Sequence, residues 1–159
     1  MKKSLLTFVA AAWLLAAPRG VSAQALAVFA DLAFQDVLQE VAPGFTDQTG
    51  FEVQLSLGQS AILADSIRSG TAADLFLPAS EEIMRQMMEK GLVDETLKRN
   101  ILLLPGTAPA AEGLAPEPQR ISAAVLSGAT NRLQAMAFLE YLTSEPVRGA
   151  FAHHGFALP

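Results

Sequence analysis

Residues 56–80, SLGQSAILADSIRSGTAADLFLPAS, change character three times in one short span. An apolar alternation ends at Gly58, Ser60 opens a segment with Ile62, Leu63 and Ile67 on one side, and Gly70 closes it before ADLFLPAS resumes as a short strand. Strand, loop, helix, loop, strand is the repeating unit of a parallel sheet, because a parallel return needs a crossover of about this length. Ser60, at the turn from loop to helix, is open to two readings. A serine there is an ordinary helix cap. A helix start also presents unpaired N–H groups and the positive end of the macrodipole, so an oxyanion can settle there without lysine or arginine.

Working toward the N-terminus, LAVFA (26–30) is a short apolar run suited to a buried strand. DLAFQDVLQEVA follows with Phe34, Val37, Leu38 and Val41 at helical spacing, Asp31 as its N-cap and Pro43-Gly44 as its stop. Toward the C-terminus a third helix is expected from about Glu81 to Lys90. Its apolar face is Ile83, Met84, Met87 and Met88, its first turn is acidic, and Gly91 ends it. A further strand, ILLLP, leads to residues 106–120, where prolines 109, 116 and 118 and weak periodicity predict an exposed connection. ISAAVLSG is the next strand. A helix from Asn131 to about Thr143 and a shorter one from Pro146 to near Gly155 complete the chain. The alternation predicts a three-layer α/β/α sandwich on a mostly parallel sheet. Ligands in such folds sit beyond the carboxyl ends of the strands, and Asp31, Ser60 and Ser80 fall there.

Lys2 and Lys3, the apolar run Leu5 to Ala17 and the small residues VSA predict a secretory leader over residues 1–23. The remaining 24–159 are one domain's length. The leader carries three of the eleven basic residues, which leaves eight against sixteen acidic ones and a net charge of −8. That balance disfavours a nucleic-acid partner, which needs basic patches to neutralise phosphates. There is no cysteine, so stability rests on burial without disulfides.

Other chemistry-bearing residues have plainer uses. His153 and His154 are adjacent, which turns their side chains about 100° apart on a helix and suits them poorly to one metal ion. Glu81-Glu82 reads as a solvated first turn, Ser80 as a helix entry, and the methionines as core filling. No Ser/His/Asp set, metal-ligand set or GxSxG elbow is present, so no catalytic residue and no cofactor is expected.

Residues 26–94, from LAVFADLAF through GTAADLFLPAS to MEKGLVD, resemble the first lobe of the periplasmic molybdate-binding proteins of ABC importers. The likeness runs to about residue 104 and resumes from Ile121 to Phe156, where AFLEYLTSEPVRGAFAHHGF is similar to that family's closing helices. It implies one lobe of a type II periplasmic binding protein, which closes like a clamshell over molybdate, tungstate or a related oxyanion and delivers it to importer membrane subunits. It also implies ligand contacts at Ser60 with its neighbours Gln59 and Ala61, and at Ala33 with Leu32. Where the resemblance leads one to expect a first serine, this chain has Ala33, with Asp31 close by.

The second departure is the connection 106–120, which stands where the family inserts a whole second lobe. Hydrogen bonds to a charged ligand contribute about 1.5–3 kcal/mol each, so three lost donors forfeit roughly 5–9 kcal/mol. A submicromolar binder would then become a millimolar one as a monomer. The alternative is an interaction module or homodimer that uses the inter-lobe surface so exposed. An exported enzyme with Asp31 or His154 as base is a third reading, without a supporting residue set.

Overall fold

A computed structural model describes residues 25–104 and 118–159. The expected leader and most of the connection 106–120 lie outside the described residues. The chain runs β1 (Leu26–Asp31), a 3₁₀ turn (Leu32–Phe34), α1 (Gln35–Thr49), β2 (Val53–Gly58), α2 (Ser60–Arg68), β3 (Leu75–Leu77), α3 (Glu81–Glu89), β4 (Val93–Leu104), β5 (Gln119–Leu126), α4 (Arg132–Leu142) and α5 (Glu145–His153). One five-stranded sheet has the order β2-β1-β3-β5-β4.

Alternate residues of the central strands feed two separate cores, as the two-residue period of a strand requires. Val28 and Ala30 of β1, Leu75 and Leu77 of β3, and Ile121, Ala123 and Val125 of β5 pack with α1, α4 and α5. Phe29, Phe76, Ala124 and Leu126 point the other way and pack with α2 and α3. The three-layer sandwich is therefore present, and the central strands β1, β3 and β5 are largely buried on both faces. Met84 and Met87 are buried in the second core, as expected of filler.

The mostly parallel sheet expected is present, with β1 pairing in parallel with both β2 and β3. Strand β5 is the exception, running antiparallel to both β3 and β4. Four strands share one direction and β5 opposes them. Leu104 at the end of β4 pairs with Gln119 at the start of β5, so the two strands double back on each other. Residues 119 and 120 thus belong to β5, not to the connection. Strand β4 also begins at Val93, well before ILLLP, with register shifts between Val93 and Lys98 and between Asn100 and Leu102. On its far side the Leu103 N–H donates to the carbonyl of Ala157 at 2.7 Å.

Pro43-Gly44 does not stop α1. The helix runs on to Thr49 and ends at Gly50, whose φ of 76° is the left-handed conformation of a helix terminator. Proline removes one backbone donor, that to the Gln39 carbonyl, and Gln39 is exposed, so water can serve the orphaned oxygen. Continuing buries Phe45, whose ring centroid lies 5.0 Å from that of Phe138 on α4.

Buried Asp74, just before β3, joins three elements. Oδ2 accepts from Ala27 N at 3.0 Å and Asn131 Nδ2 at 3.0 Å, and Oδ1 accepts from Thr130 N and Asn131 N, both at 2.9 Å. Strand β1, β3 and the loop from β5 to α4 are thereby tied through one carboxylate.

Candidate functional site

The register places Asp31 opposite Gly58 and Ala30 opposite Leu77, so the carboxyl ends of the three parallel strands lie side by side with β1 in the middle. The loop into α2 rises on one side of Asp31 and Pro78-Ala79 on the other. Sequence places each residue only at its own strand's end; the sheet order makes them neighbours.

Asp31 is extended, with φ −64° and ψ 146°, and caps the 3₁₀ turn by accepting from Ala33 N at 3.0 Å through Oδ1. That much agrees with the N-cap expected of it. Its second oxygen does something further: Oδ2 accepts from Ser60 N at 2.8 Å and from the Ser60 hydroxyl. Ser60 Oγ in turn accepts from Ala79 N at 2.9 Å. The result is a chain of donors, from the Ala79 amide to the serine hydroxyl to the carboxylate, closing on the N-terminus of α2.

This geometry corrects the reading of Ser60 as a plain cap. The N-cap position belongs to Gln59, which makes no side-chain capping bond. A capping hydroxyl accepts from an N–H of its own helix. Ser60 instead accepts from another loop and donates across to β1. Its place is the first helical position, and only 6% of it is exposed. The negative charge near the dipole's positive end comes from Asp31, 29 residues earlier in the chain.

The other expected contact residues form the rim. Leu32 is 49% exposed, and Ala33, Gln59 and Ala61 are exposed as well. Ala61 and Ile62 lie in the first turn of α2, where N–H groups have no intrahelical acceptor. Ile62 is itself 59% exposed. The contribution that sequence reasoning missed is the Ala79 amide, which no side-chain pattern could mark. The cradle is an open shelf. Two depressions lie elsewhere, one lined by Glu81, Glu82, Arg85, Met88 and Lys98, another by Glu81, Leu103, Pro118, Arg120 and Pro159.

Ser80 caps α3 as expected, accepting from Ile83 N at 3.4 Å. His154 pairs through Nε2 with Glu40 Oε2 at 2.7 Å on the outer side of α1. Among the described residues no three His, Asp or Glu side chains come together as a metal site, and no helix is long and apolar enough to cross a membrane.

A sandwich lobe with its polar groups at the carboxyl ends of parallel strands is an architecture common to ligand-binding α/β folds. The family model described as bacterial extracellular solute-binding protein matches residues 26–105 and 104–157, and the chain belongs to that family. It is 30% identical over 77 residues to the molybdate-binding protein ModA of Escherichia coli, a match covering 48% of this chain and 30% of that protein. It is 40% identical over 73 residues to the ModA of Haemophilus influenzae, covering 45% of this chain and 29% of that one. The chain thus spans under a third of these relatives' length. Its fold is similar to that of the periplasmic molybdate-binding protein of Azotobacter vinelandii, with a TM-score of 0.72 at 14% identity over 84% of this chain and 99% of that one.

Proposed function

We propose that this chain is a single solute-binding lobe for tetrahedral oxyanions of the molybdate and tungstate class, exported by its leader to the periplasm and allied to the membrane subunits of an ABC importer. Residues 24–159 form the lobe, and the connection between β4 and β5 replaces the second one. It is a binder and not an enzyme, it has no nucleic-acid partner, and as a monomer it holds its ligand weakly.

The observation that carries this reading is the donor set at α2. The Ser60 N–H and O–H converge on one anionic oxygen, that of Asp31, with the Ala79 amide behind them. A carboxylate oxygen stands there for an oxygen of a bound oxyanion. The molybdate-binding relatives supply the ligand class. Weakness follows from a one-sided shelf, since among the described residues no second lobe is present to supply facing donors.

Calorimetry on residues 24–159 with molybdate, tungstate and sulfate tests the proposal. Dissociation constants around the millimolar range are expected for the monomer. Submicromolar binding by a monomer overturns the weakness, and no heat with any of the three overturns the ligand class. A second reading has one observation behind it: Leu32 and Ile62, exposed apolar side chains, flank the cradle. Two copies facing each other there would form a two-sided cleft. Light scattering decides it, and a strict monomer at high concentration removes the homodimer.

A further inference from the structure

We infer that Asp31 is a built-in competitor for the cradle: its carboxylate occupies the donors that a bound oxyanion would use, and a ligand enters only by displacing it. This inference rests on the oxyanion reading and adds the control of that same site. Three features point to it. The Asp31 side chain is anchored at both oxygens, by Ala33 N on one and by Ser60 N and Oγ on the other. Ser60 is buried with its hydroxyl already donating to Asp31 and accepting from Ala79, so its proton is committed. The contact joins the ends of β1 and β2, whose register at Asp31 and Gly58 fixes the separation.

A dianion approaching this shelf meets a fixed negative charge and finds both groups of Ser60 taken. The first-turn amides of Ala61 and Ile62 remain open to it. The carboxylate sits on a rotatable side chain and is held by hydrogen bonds, so breaking them and rotating χ1 releases the donors without unfolding β1. Occupancy by Asp31 and occupancy by ligand are mutually exclusive, and each weakens the other by the same factor.

Two variants separate charge from shape. D31N keeps the volume and an acceptor oxygen but removes the charge, and D31A empties the position. D36N, on an exposed aspartate in the first turn of α1, makes the same change in net charge away from the cradle. All are taken as the chain from residue 24, with circular dichroism confirming the fold and calorimetry against molybdate, tungstate and sulfate. The expected result is binding tighter by about tenfold or more in D31N and D31A, the worth of one charge-assisted hydrogen bond, with D36N at the parent's affinity. Equal affinity in the parent, D31N and D31A overturns the competition and leaves the oxyanion reading standing. So does weaker binding in the Asp31 variants, which would make the carboxylate a supporting group. A matching gain in D36N overturns it as well, because bulk charge then explains the effect. No binding by any folded variant overturns the ligand class and the competition together.

Discussion

Gly44 carries no Cβ, and Tyr141 uses the space. A Cβ built there would lie 2.6 Å from the tyrosine hydroxyl oxygen, far inside contact distance. That hydroxyl donates to the Val41 carbonyl at 3.1 Å. The phenol's pKa is raised by its burial and then by the charge of Asp47, so it stays a donor. The ring cannot swing aside freely, because it packs against Phe45 and Phe138 with centroids 5.5 and 6.1 Å away. Gly44→Ala is expected to cost about 1 kcal/mol in urea denaturation, a clash of roughly 1–3 kcal/mol less the helix-propensity gain of about 1. In a Tyr141→Phe background, where the oxygen is gone, the same change is expected to be neutral or stabilising by up to about 1 kcal/mol. Equal costs in both backgrounds would show that the tyrosine oxygen is not the obstacle. Sequence alone gives Gly44 the opposite meaning. Pro-Gly is a stop signal when read locally, and only a tyrosine nearly a hundred residues later makes the glycine a packing residue.

At the scale of elements the same pair shows why burial overrides local punctuation. Val37, Leu38 and Val41 set the buried face of α1, and Phe45 extends it one turn past the proline. Restoring a donor with Pro43→Ala is expected to stabilise the chain by about 1 kcal/mol or more, since a helix-interior proline costs up to roughly 3 and the chain's geometry here absorbs part of it. An unchanged urea midpoint would mean that the proline's stiffening of the unfolded chain offsets the missing bond. Helices α2, α3, α4 and α5 were legible to within about two residues, because each begins at a polar entry residue and carries an apolar stripe. The first half of β4 was not. Asp94, Glu95, Lys98 and Arg99 give VDETLKRN no apolar alternation, and its strand character comes from pairing with β5. The direction of β5 was hidden for a related reason, since periodicity identifies a strand but not its sense.

For the whole molecule, the tie at Asp74 contributes to the response to acid. Burial by itself pushes this carboxyl up, but the hydrogen bonds from the Asn131 side chain and from the amides of Asn131, Ala27 and Thr130 outweigh it and leave its pKa below the ordinary value. A carboxyl depressed in the folded state contributes stability that is fully present above the unfolded pKa of about 4 and is lost as pH falls through the lower folded value. Unfolding free energy measured from pH 7 downward is therefore expected to drop below about pH 4, and Asp74→Asn to start lower and lose that part of the slope. Parallel pH profiles for the two proteins would remove Asp74 from the account. The sandwich and the family were readable from residues 26–104 and 121–156, because strand and helix periods alternate cleanly there. The grip of Asp31 on Ser60 was not, because it depends on which strands become neighbours. The link between Leu103 and Ala157 has a consequence of its own. It closes one rung on the outer rail of the last strand, and the charged residues earlier in β4 make the rest of that rail a poor template. Copies of this protein that meet are thus steered away from zipping together along that edge of the sheet.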